Sequence, residues 1–569
     1  MARAGARYPQ VDPGARALIS APLATGSATS SARQALDACR RAGVRALAIG
    51  SRRVVRERDL ARAVDWGLGD RPARLAAWTG LPVVGIETAE IEVRRHLIAG
   101  APMIVVRDGS RLVGLIDRQS ANVQAPMSAL PSVLRPASEE LEARLAFLRA
   151  VGSIAVDMGT RAFAVGGFVR DPLLERPSPD VDLVIEGDGV TVARRLADAV
   201  GGTLTAHEAF LTASIKGGRA PGGAPLGRID VASARRERYE RPGALPIVSP
   251  ADIDTDLARR DFSVNAMAIA LSPPAFGALL DPHGGRADLT RRRLRPLHPL
   301  SFVEDPTRMF RAARYAARLG LRLETDARTA LRLALCVGEY PALSGQRLEA
   351  EIQWLAAEAT AAIGFELLLR WAVPALWDAR YRVSAASVRR VRALARLSSL
   401  MRRAAPDAPA ADLSLTALLL DQSPAVRIAC LDRLAIRGQR RRILESAAAG
   451  SLARRLAAPA LRSSEVAELL RPVPPIAVAG AWLRGGRRVR RRVEWFLTEG
   501  RAVRPLLSGD ELMSLGVPRG PAVGECLAGI RRLRADGIVR SMGQERQFVK
   551  RWLRGPRPEP TPVPRGGER

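Results

Sequence analysis

The sequence is poor in lysine, histidine, cysteine and aromatic residues. It contains two lysines, Lys216 and Lys550, and aromatic residues make up 4% of the 569 residues. The four cysteines are scattered and form no C-x-x-C pair, which excludes a disulfide framework and a cysteine-rich zinc site. This cysteine usage favours a reducing compartment, so we expect a cytoplasmic protein. The cysteines are Cys39, Cys336, Cys430 and Cys526.

Long apolar runs are also missing. No run approaches the roughly 20 residues that a helix needs to cross a bilayer, so we expect no membrane partner. The first twenty residues are basic but hold no continuous apolar stretch, which argues against a secretory signal. Hydrophobic residues nevertheless make up 47% of the chain, enough to bury cores and to exclude wholesale disorder. At roughly 100–200 residues per domain, the length predicts about three or four domains.

Positive charge is in large excess. The chain has 88 Lys and Arg residues against 58 Asp and Glu residues, a formal net charge of +30. A GC-rich genome explains arginine in place of lysine, but it does not explain the excess of basic over acidic residues. This excess indicates a polyanionic partner, with nucleic acid as the leading class. Arginine is dense at 437–442 and 484–492, and we interpret these runs as a binding surface.

Residues 20–125 alternate short apolar runs with helical patterns. The order predicts two copies of a small β-α-β unit. The turn dipeptide Asp108-Gly109 joins the last two predicted strands. The predicted elements are a strand at 46–49, a helix at 58–68 and strands at 102–106 and 112–116.

Both copies resemble the halves of a tandem CBS module. The resemblance rests on R-V-V-R-E-R-D-L-A-R-A at 53–63 and I-V-V-R-D-G-S-R-L-V-G-L-I-D-R at 104–118. Ligand-binding members of that family carry a Thr and, three residues later, an Asp that holds a ribose. The corresponding residues here are Arg56 with Asp59, and Asp117 with Ser120. Because neither copy keeps both residues, a structural or self-associating role is favoured over nucleotide sensing.

The rest of the chain divides into a mixed part and a helical part. A long helix is predicted at 138–151, and residues 160–290 mix strands, glycine turns and helices, which predicts an α/β or α+β domain. Strand signals fade after about residue 300, so helices are predicted for 291–350 and 351–554. Residues 1–19 are expected to be flexible, and the tail at 555–569, with its five prolines, to be disordered.

Three aspartates lie on predicted strands of the mixed part. The D-V-D stretch places Asp180 and Asp182 on one face of a strand, about 6–7 Å apart. Asp230 lies on a second short apolar strand. A lone D-x-D is more often a strand edge with ordinary surface acids. Three carboxylates on adjacent strands instead predict a site for two Mg²⁺ ions that serves phosphoryl transfer.

A glycine pair precedes these aspartates. Gly166 and Gly167 follow a short apolar strand and precede a helical pattern. Backbone N–H groups in such a turn can point at phosphates. Most glycine pairs are simply turns, and only the aspartates that follow make this one a candidate phosphate site.

Together these motifs resemble the class II tRNA nucleotidyltransferase/poly(A) polymerase family, which shares a superfamily with DNA polymerase beta. Glu175 lies where the family usually has glycine, a departure within a turn. Weaker matches lie at 343–352 and 507–521. The main matches are G-G-F-V-R-D-P-L-L-E-R-P-S-P-D-V-D at 166–182, D-V-A-S-A-R-R-E-R-Y at 230–239, R-R-D-F-S-V-N-A-M-A at 259–268, D-P-H-G-G-R-A-D-L at 281–289 and E-D-P-T-R-M-F-R-A-A-R-Y at 304–315.

The resemblance implies a multidomain α+β protein and a role for each motif. After the CBS pair would come a polymerase-beta-like catalytic head at 138–290, a nucleobase-selecting neck at 291–350 and an all-helical, tRNA-binding body and tail at 351–554. Asp180, Asp182 and Asp230 would be the catalytic metal ligands. The nucleotide would be bound by Gly166, Gly167, Arg170, Arg260, Asp261, Asn265, Asp305, Arg308, Arg311 and Arg314.

Asp305 and Arg308 are three positions apart, a spacing that places two residues on one helix face. An acid and a guanidinium side by side can offer an acceptor and donors to a base edge. The resemblance implies that this pair recognises the incoming CTP or ATP. Without the upstream motifs, the same stretch would more often be a helix cap with a surface ion pair. Arg311 and Arg314 would lie on the same side and could reach a phosphate or the base.

The resemblance predicts an enzyme that adds CCA, or its terminal A, to the 3′ end of tRNA from CTP and ATP with two Mg²⁺ ions. One alternative is a poly(A) polymerase acting on RNA 3′ ends. A non-catalytic RNA-binding protein is disfavoured, because all three carboxylates are kept. Addition of CC alone is less expected, since the loop at 235–248, which tends to be shortened in CC-adding members, is present.

Overall fold

The computed structural model describes residues 14–123, 127–128, 139–176, 180–221 and 223–555. The chain forms two compact units, one of residues 1–351 and 367–379 and the other of 352–366 and 380–569. Of the ends that were predicted to be flexible or disordered, residues 1–13 and 556–569 lie outside the described residues. Gly14–Ala17 form a short helix, α1, in which Ala15 is buried. Among the described residues, no helix is both long and apolar enough to cross a membrane.

The first unit begins with a seven-stranded mixed sheet built from two similar halves. In each half, the first two strands are parallel and the third is antiparallel to the second. The two halves join where β1 pairs with β7, in the strand order β4-β3-β2-β1-β7-β6-β5. The prediction of two β-α-β units is therefore confirmed. The elements are β1 (Ala21–Gly26), α2 (Ala32–Ala42), β2 (Ala46–Ile49), β3 (Arg53–Arg56), α3 (Glu57–Ala63), β4 (Trp78–Thr79), β5 (Val83–Gly85), α4 (Glu90–Ile98), β6 (Ile104–Asp108) and β7 (Arg111–Ile116).

In each half, the two residues that correspond to the ligand-binding pair of CBS modules contact each other. Asp59 is buried and accepts hydrogen bonds from Arg56 Nε and Trp78 Nε1, both at 2.8 Å. Asp117 and Ser120 each accept a hydrogen bond from the other's backbone N–H. Both pairs thus stabilise the local fold. The CBS resemblance itself stays a prediction.

The second sheet is mixed and has eight strands, in the order β11-β12-β13-β10-β9-β16-β17-β8. The prediction of an α+β fold with a mixed sheet and helices is confirmed. Two further strands, β14 and β15, form a separate antiparallel ribbon. The elements are β8 (Met127–Ser128), α5 (Glu139–Asp157), β9 (Arg161–Val165), α6 (Gly167–Arg170), β10 (Val181–Glu186), α7 (Gly189–Val200), β11 (Thr203–His207), β12 (Thr212–Lys216), β13 (Ile229–Ser233), β14 (Arg235–Arg238), β15 (Ile247–Pro250), α8 (Ile253–Ala258), β16 (Ala268–Ala270), β17 (Leu279–Leu280), α9 (Gly285–Thr290) and β18 (Arg293–Leu294).

Helix α5 extends six residues beyond its predicted end. Gly152 lies inside the helix, where an added Cβ would lie 1.9 Å from the carbonyl oxygen of Leu271. The glycine therefore allows close packing of α5 against the sheet and does not end the helix. On the other side of the central strands, Phe163 and Val184 pack with Leu257 of α8 in one buried cluster.

Helices dominate from residue 301 onward, as predicted. The neck predicted to be helical at 291–350 nevertheless contains two paired two-residue strands, β18 and β19 (Arg322–Leu323). Helix α11 begins directly after Pro306, whose fixed φ suits the start of a helix. The remaining helices of the first unit are α10 (Ser301–Glu304), α11 (Thr307–Leu319), α12 (Thr325–Val337), α13 (Gly345–Ala357) and α14 (Ala361–Arg370). The last two, α13 and α14, are shared with the second unit.

The second unit is helical, which confirms the predicted all-helical C-terminal half. Near the end of the chain, the buried Glu545 accepts hydrogen bonds from the backbone N–H groups of Leu506 and Leu507 and from Arg534. This carboxylate fixes the last helix to the preceding segment. The helices are α15 (Ala385–Ala404), α16 (Ala410–Leu419), α17 (Pro424–Arg433), α18 (Gly438–Ala449), α19 (Ser451–Ala457), α20 (Ser463–Leu470), α21 (Pro475–Arg484), α22 (Arg487–Trp495), α23 (Gly509–Ser514), α24 (Pro521–Ala535) and α25 (Met542–Arg554).

Glu175 gives a test of backbone strain. Its φ of +57° is left-handed, a conformation that costs a residue with a Cβ about 1 kcal/mol. We expect Glu175→Gly to raise the free energy of unfolding by about 0.5 kcal/mol, since greater freedom in the unfolded chain offsets part of the relief. Urea unfolding measures the change. Glu175→Ala is the control, because it keeps the Cβ, and an equal gain in that variant would contradict the strain.

Candidate active site

Asp182 and Asp230 lie side by side on neighbouring strands. Strands β10 and β13 are parallel, and their register pairs Asp182 with Asp230. The flanking residues Val181, Leu183 and Ile229 are buried and hold both strands in the sheet. Because side chains alternate along a strand, the two carboxylates occupy the opposite face from these apolar residues. The predicted placement of acids on adjacent strands is therefore found for these two.

Asp180 is predicted to lie on the strand, but the structure places it just before β10, where it is exposed. Its Oδ1 accepts a hydrogen bond from the backbone N–H of Arg228 at 3.2 Å, which holds it near the start of β13. Asp230 accepts from the side chains of Ser214 and Arg228. In the described part of the chain, no three His, Cys, Asp or Glu side chains form a group that could hold a metal ion.

The chemistry of the three carboxylates nevertheless suits a divalent cation. Burial raises the pKa of Asp182, and the negative charges of Asp230 and Asp180 raise it further. Neighbouring carboxylates that disfavour each other's charge are stabilised by a cation between them. Carboxylate oxygens are also the ligands that Mg²⁺ prefers. The donor set therefore fits Mg²⁺.

The glycine turn packs directly against Asp182. Gly166 has a φ of +65°, and a Cβ added there would lie 2.6 Å from Asp182 Oδ2. The backbone N–H of Gly167 donates to the same oxygen at 3.3 Å. Both the conformation and the space at position 166 thus require glycine. The turn and the aspartates meet at one place in the fold.

A chain of hydrogen bonds links the second sheet to helix α11. Asp261 is buried; its Oδ1 accepts from Asn265 Nδ2 at 2.9 Å and its Oδ2 from Arg311 Nε at 2.7 Å. Arg170 donates to the other end of the Asn265 amide. Burial alone would raise the pKa of Asp261, but Arg311 and these hydrogen bonds hold it below its usual range. The structure thus brings together four of the predicted nucleotide-binding residues.

Sequence reasoning did not identify Tyr315, around whose ring three arginines gather. The guanidinium carbons of Arg170, Arg311 and Arg314 lie 5.2, 5.5 and 5.5 Å from the ring centroid. Arg311 also donates to the Tyr315 hydroxyl at 3.1 Å. The signal was present in the sequence, since an aromatic residue four positions after an arginine shares its helix face.

Arg260 forms an ion pair with Asp256, with Nη2 2.9 Å from Oδ2. Its positive charge also acts on Asp182, whose pKa it lowers against the larger effect of burial. Arg260 therefore lies near both the carboxylates and the network around Asp261. Asp256 is a further residue of the site that sequence reasoning did not select, and it is buried under two arginines, Arg259 and Arg260.

Asp305 and Arg308 do not share a helix face, contrary to the prediction. Helix α11 begins at Thr307, and Asp305 lies before it, where its Oδ1 accepts from the Thr307 backbone N–H at 3.0 Å. Arg347 also forms an ion pair with Asp305, at 3.1 Å. Asp305 therefore satisfies one backbone N–H at the start of α11, although the N-cap residue is Pro306. The buried Arg308 donates to Ser301 Oγ at 2.6 Å and to other acceptors of the surrounding segments.

The two arginine runs are partly structural. In the second run, Arg492 donates to four backbone carbonyls, and Arg490 packs on the Trp482 ring. In the first run, Arg440 pairs with Asp412, and Arg441 pairs with Asp432 and Glu445. The predicted binding surface therefore excludes these side chains. Exposed arginines of the two runs include Arg437, Arg442, Arg487 and Arg491.

Glu351 makes stability depend on pH. It is buried, and its Oε2 has no hydrogen-bond partner among the described residues. Burial raises its pKa to about 7, although Arg311 and Arg314 oppose the shift. A carboxyl whose pKa is higher in the folded state stabilises the fold at low pH and loses that stability as the pH rises through about 7.

We therefore expect Glu351→Gln to melt at a higher temperature than the parent protein at pH 8 and at a similar temperature at pH 5. The gain in unfolding free energy at pH 8 is at most about 3 kcal/mol. Thermal unfolding at both pH values measures it. The exposed Glu339→Gln is the matched control. A Glu351→Gln variant that gains nothing at pH 8 would show that the buried carboxyl is neutralised in another way.

Comparisons with known proteins agree with this geometry. Residues 162–295 match the Poly A polymerase head domain. The chain is 32% identical over 422 residues to an A-adding tRNA nucleotidyltransferase of Halalkalibacterium halodurans, covering 73% of this chain and 94% of that protein. It is 33% identical to a CC-adding tRNA nucleotidyltransferase of Deinococcus radiodurans, covering 71% and 92%. An A-adding tRNA nucleotidyltransferase of Geobacter sulfurreducens is 34% identical, over 59% of this chain but 40% of the relative.

Similar solved structures are CCA-adding enzymes. An apo form has a TM-score of 0.63 and 26% identity, with 76% of this chain and 99% of that chain covered. The Thermotoga maritima CCA-adding enzyme complexed with tRNA has a TM-score of 0.60 and 25% identity, with 76% and 100% covered. Further matches are complexes with CTP and with ATP. With paired aspartates beside a glycine turn and relatives matched over nearly their full length, this chain belongs to the tRNA nucleotidyltransferase family.

Proposed function

We propose that this chain adds CCA, or its terminal A, to the 3′ end of tRNA from CTP and ATP without a nucleic-acid template. The observation that carries the proposal is the register of Asp182 and Asp230 beside the glycine turn at 166–167. Relatives named for A addition and CC addition, and similar CCA-adding enzymes complexed with tRNA, CTP and ATP, support it. A cytoplasmic location stays a prediction from cysteine usage.

Asp180, Asp182 and Asp230 hold two Mg²⁺ ions in this proposal. When bound, these ions supply the positive charge that neutralises the triphosphate and lowers the pKa of the attacking 3′ hydroxyl. The role of the protein is to position the carboxylates at the starts of two rigid strands, close enough for their charges to interact. The hydrogen bonds from Arg228 and Ser214 orient the Asp230 carboxylate.

The nucleotide lies between the glycine turn and helix α11. The backbone N–H groups of Gly166 and Gly167 bind the triphosphate, and Arg170, Arg260, Arg311 and Arg314 supply charge to it. The buried Asp261–Asn265 pair recognises the ribose, for which its rigid hydrogen bonds are suited. Asp305 and Arg308 recognise the base from two different segments, one before α11 and one on it.

Self-association through the first sheet is part of the proposal and rests on the resemblance of residues 20–125 to a CBS pair. The domain limits are proposed as a CBS pair at 20–125, a catalytic head at 138–290, a neck at 291–350 and a tRNA-binding body and tail at 351–554.

A nucleotide-addition assay tests the function. Transfer RNA ending before CCA, after C and after CC is supplied with Mg²⁺ and with CTP, ATP or both. Addition of C, C and A to the shortest substrate establishes full CCA addition, and addition of A only to the CC end establishes A addition. Long A tails on any RNA would assign a poly(A) polymerase, and addition that stops at CC would assign a CC-adding enzyme. No incorporation while tRNA still binds would overturn the proposal.

Asp180→Ala is the first variant for that assay, because Asp180 is exposed and its loss leaves the sheet intact. We expect nucleotide addition to fall by at least about 100-fold, since a ligand of the reacting centre is lost. The affinity for tRNA in a filter assay stays within about twofold of that of the parent protein, because a carboxylate repels the RNA phosphates and its loss removes no attraction. Asp198→Ala, an exposed acid on α7, is the matched control. Parallel loss of tRNA binding would argue against the metal role.

The exposed arginines of α22 are expected to bind tRNA backbone phosphates. We predict that the double change of Arg487 and Arg491 to Gln weakens tRNA binding and lowers the slope of log K against log salt by about 2. Titrations from 50 to 300 mM salt give the slope. The same double change at Arg52 and Arg111, exposed on the first sheet, removes equal charge as a control. Equal effects of the two doubles would indicate that only net charge matters.

A further inference from the structure

Glu304 lies next to the proposed base-recognising residues and is buried, with 8% of its side chain exposed. Its Oε2 is 3.3 Å from Arg308 Nη1 and 3.2 Å from His298 Nε2. Burial alone would raise the pKa of Glu304, but His298 and the neighbouring arginines lower it to about 2, so it is ionised at neutral pH. An ionised buried carboxylate must be matched by donors on both oxygens.

The hydrogen-bond donor to the second oxygen, Oε1, belongs to helix α3, which follows strand β3 of the first sheet. Arg62 of helix α3 donates to Glu304 Oε1 at 3.1 Å, although the two residues are 242 positions apart. The Arg62 side chain is 43% exposed and also lies over the Trp66 ring at 5.3 Å. Glu304 is the last residue of helix α10, a single turn whose four residues are all buried, so this contact joins the end of that turn to helix α3.

The backbone of Glu304 restrains the loop between β14 and β15. Its carbonyl oxygen accepts a hydrogen bond from the Gly243 N–H at 3.0 Å. Gly243 has a φ of +75°, and Arg347 donates to its carbonyl oxygen at 2.6 Å. Arg347 also pairs with Asp305. Glu304 thus contacts helix α3, the loop between β14 and β15, and Arg308.

We propose that Arg62 is a positioning residue for nucleotide selection, acting through Glu304 on Arg308. The inference rests on the proposed role of Arg308 in recognising the base. Arg308 Nη1 donates to Ser301 Oγ and Glu304 Oε2, and its Nη2 donates to the Arg259 carbonyl oxygen. The orientation of the guanidinium plane therefore depends in part on where the Glu304 carboxylate lies. Without Arg62, Glu304 loses the donor on Oε1 and turns both oxygens towards Arg308 and His298. The guanidinium then leaves the pose that presents its remaining N–H groups to a base.

The arrangement has a specific kinetic consequence. Arg62 touches neither the carboxylates nor the glycine turn, so its loss leaves the chemical step unchanged. The ratio of kcat/KM for ATP to that for CTP on CC-ended tRNA changes, by roughly 3- to 10-fold in Arg62→Ala, mainly through the KM for the nucleotide. Arg62→Lys keeps a donor and restores part of the ratio.

Single-turnover addition of competing ATP and CTP measures the ratio. Arg52→Ala, which removes an exposed arginine from the same sheet, is the matched control and leaves the ratio unchanged. In a Glu304→Gln background, Arg62→Ala has no further effect on the ratio, because the charge it neutralises is gone. An Arg62→Ala variant that slows both nucleotides by one factor at constant ratio would overturn the inference.

The Arg308→Ala variant separates this inference from the proposed function. If Arg308→Ala leaves the ratio unchanged, Arg308 does not recognise the base and the proposed function is wrong at that residue. If Arg308→Ala changes the ratio while Arg62→Ala does not, the proposed function stands and the role of Arg62 is rejected. Equal changes in both variants support both statements.

Discussion

The site depends on holding like charges together at the starts of two parallel strands. Asp182 and Asp230 are adjacent in register, and their mutual repulsion together with burial disfavours ionisation of Asp182. The surrounding structure compensates for this unfavourable charge pair. Buried apolar residues hold the strands, Gly167 donates to Asp182, and Arg228 and Ser214 donate to Asp230. A rigid sheet is needed because a flexible segment would let the carboxylates separate.

Arginine performs two separate tasks in this molecule. Inside the fold, its several N–H donors satisfy carbonyl and carboxylate oxygens, as in Arg492, Arg308 and Arg311. At the surface, arginines such as Arg487 and Arg491 are exposed. A chain with so few lysines must use the guanidinium group for both tasks, so the net charge of +30 overstates the charge that faces RNA. The contacts of each arginine, and not the count, separate the two roles.

The parts of the site within one motif could be predicted from the sequence, because short-range geometry determines them. The apolar runs correctly placed Asp182 and Asp230 on adjacent strands and the glycine turn before them. The alternation that put Asp180 on the same strand was wrong, because β10 begins at Val181. Asp305 was misplaced because i and i+3 spacing holds only inside a helix, and Pro306 starts the helix after it. Tyr315 was missed although its spacing of four residues from Arg311 is visible in the sequence. Glu304 was missed because its partner Arg62 is far away in the sequence. Arg62 is the extreme case, at a separation of 242 residues from Glu304.

The β14–β15 ribbon has a consequence for how such enzymes diverge. Its two strands pair with each other and lie outside the eight-stranded sheet. Residues gained or lost at its tip therefore leave the register of Asp182 and Asp230 unchanged. Mutations that alter ribbon length can thus arise without disturbing the pairing of the two aspartate-bearing strands. Selection can therefore change the contact of the ribbon loop with Glu304 separately from the geometry of the carboxylates.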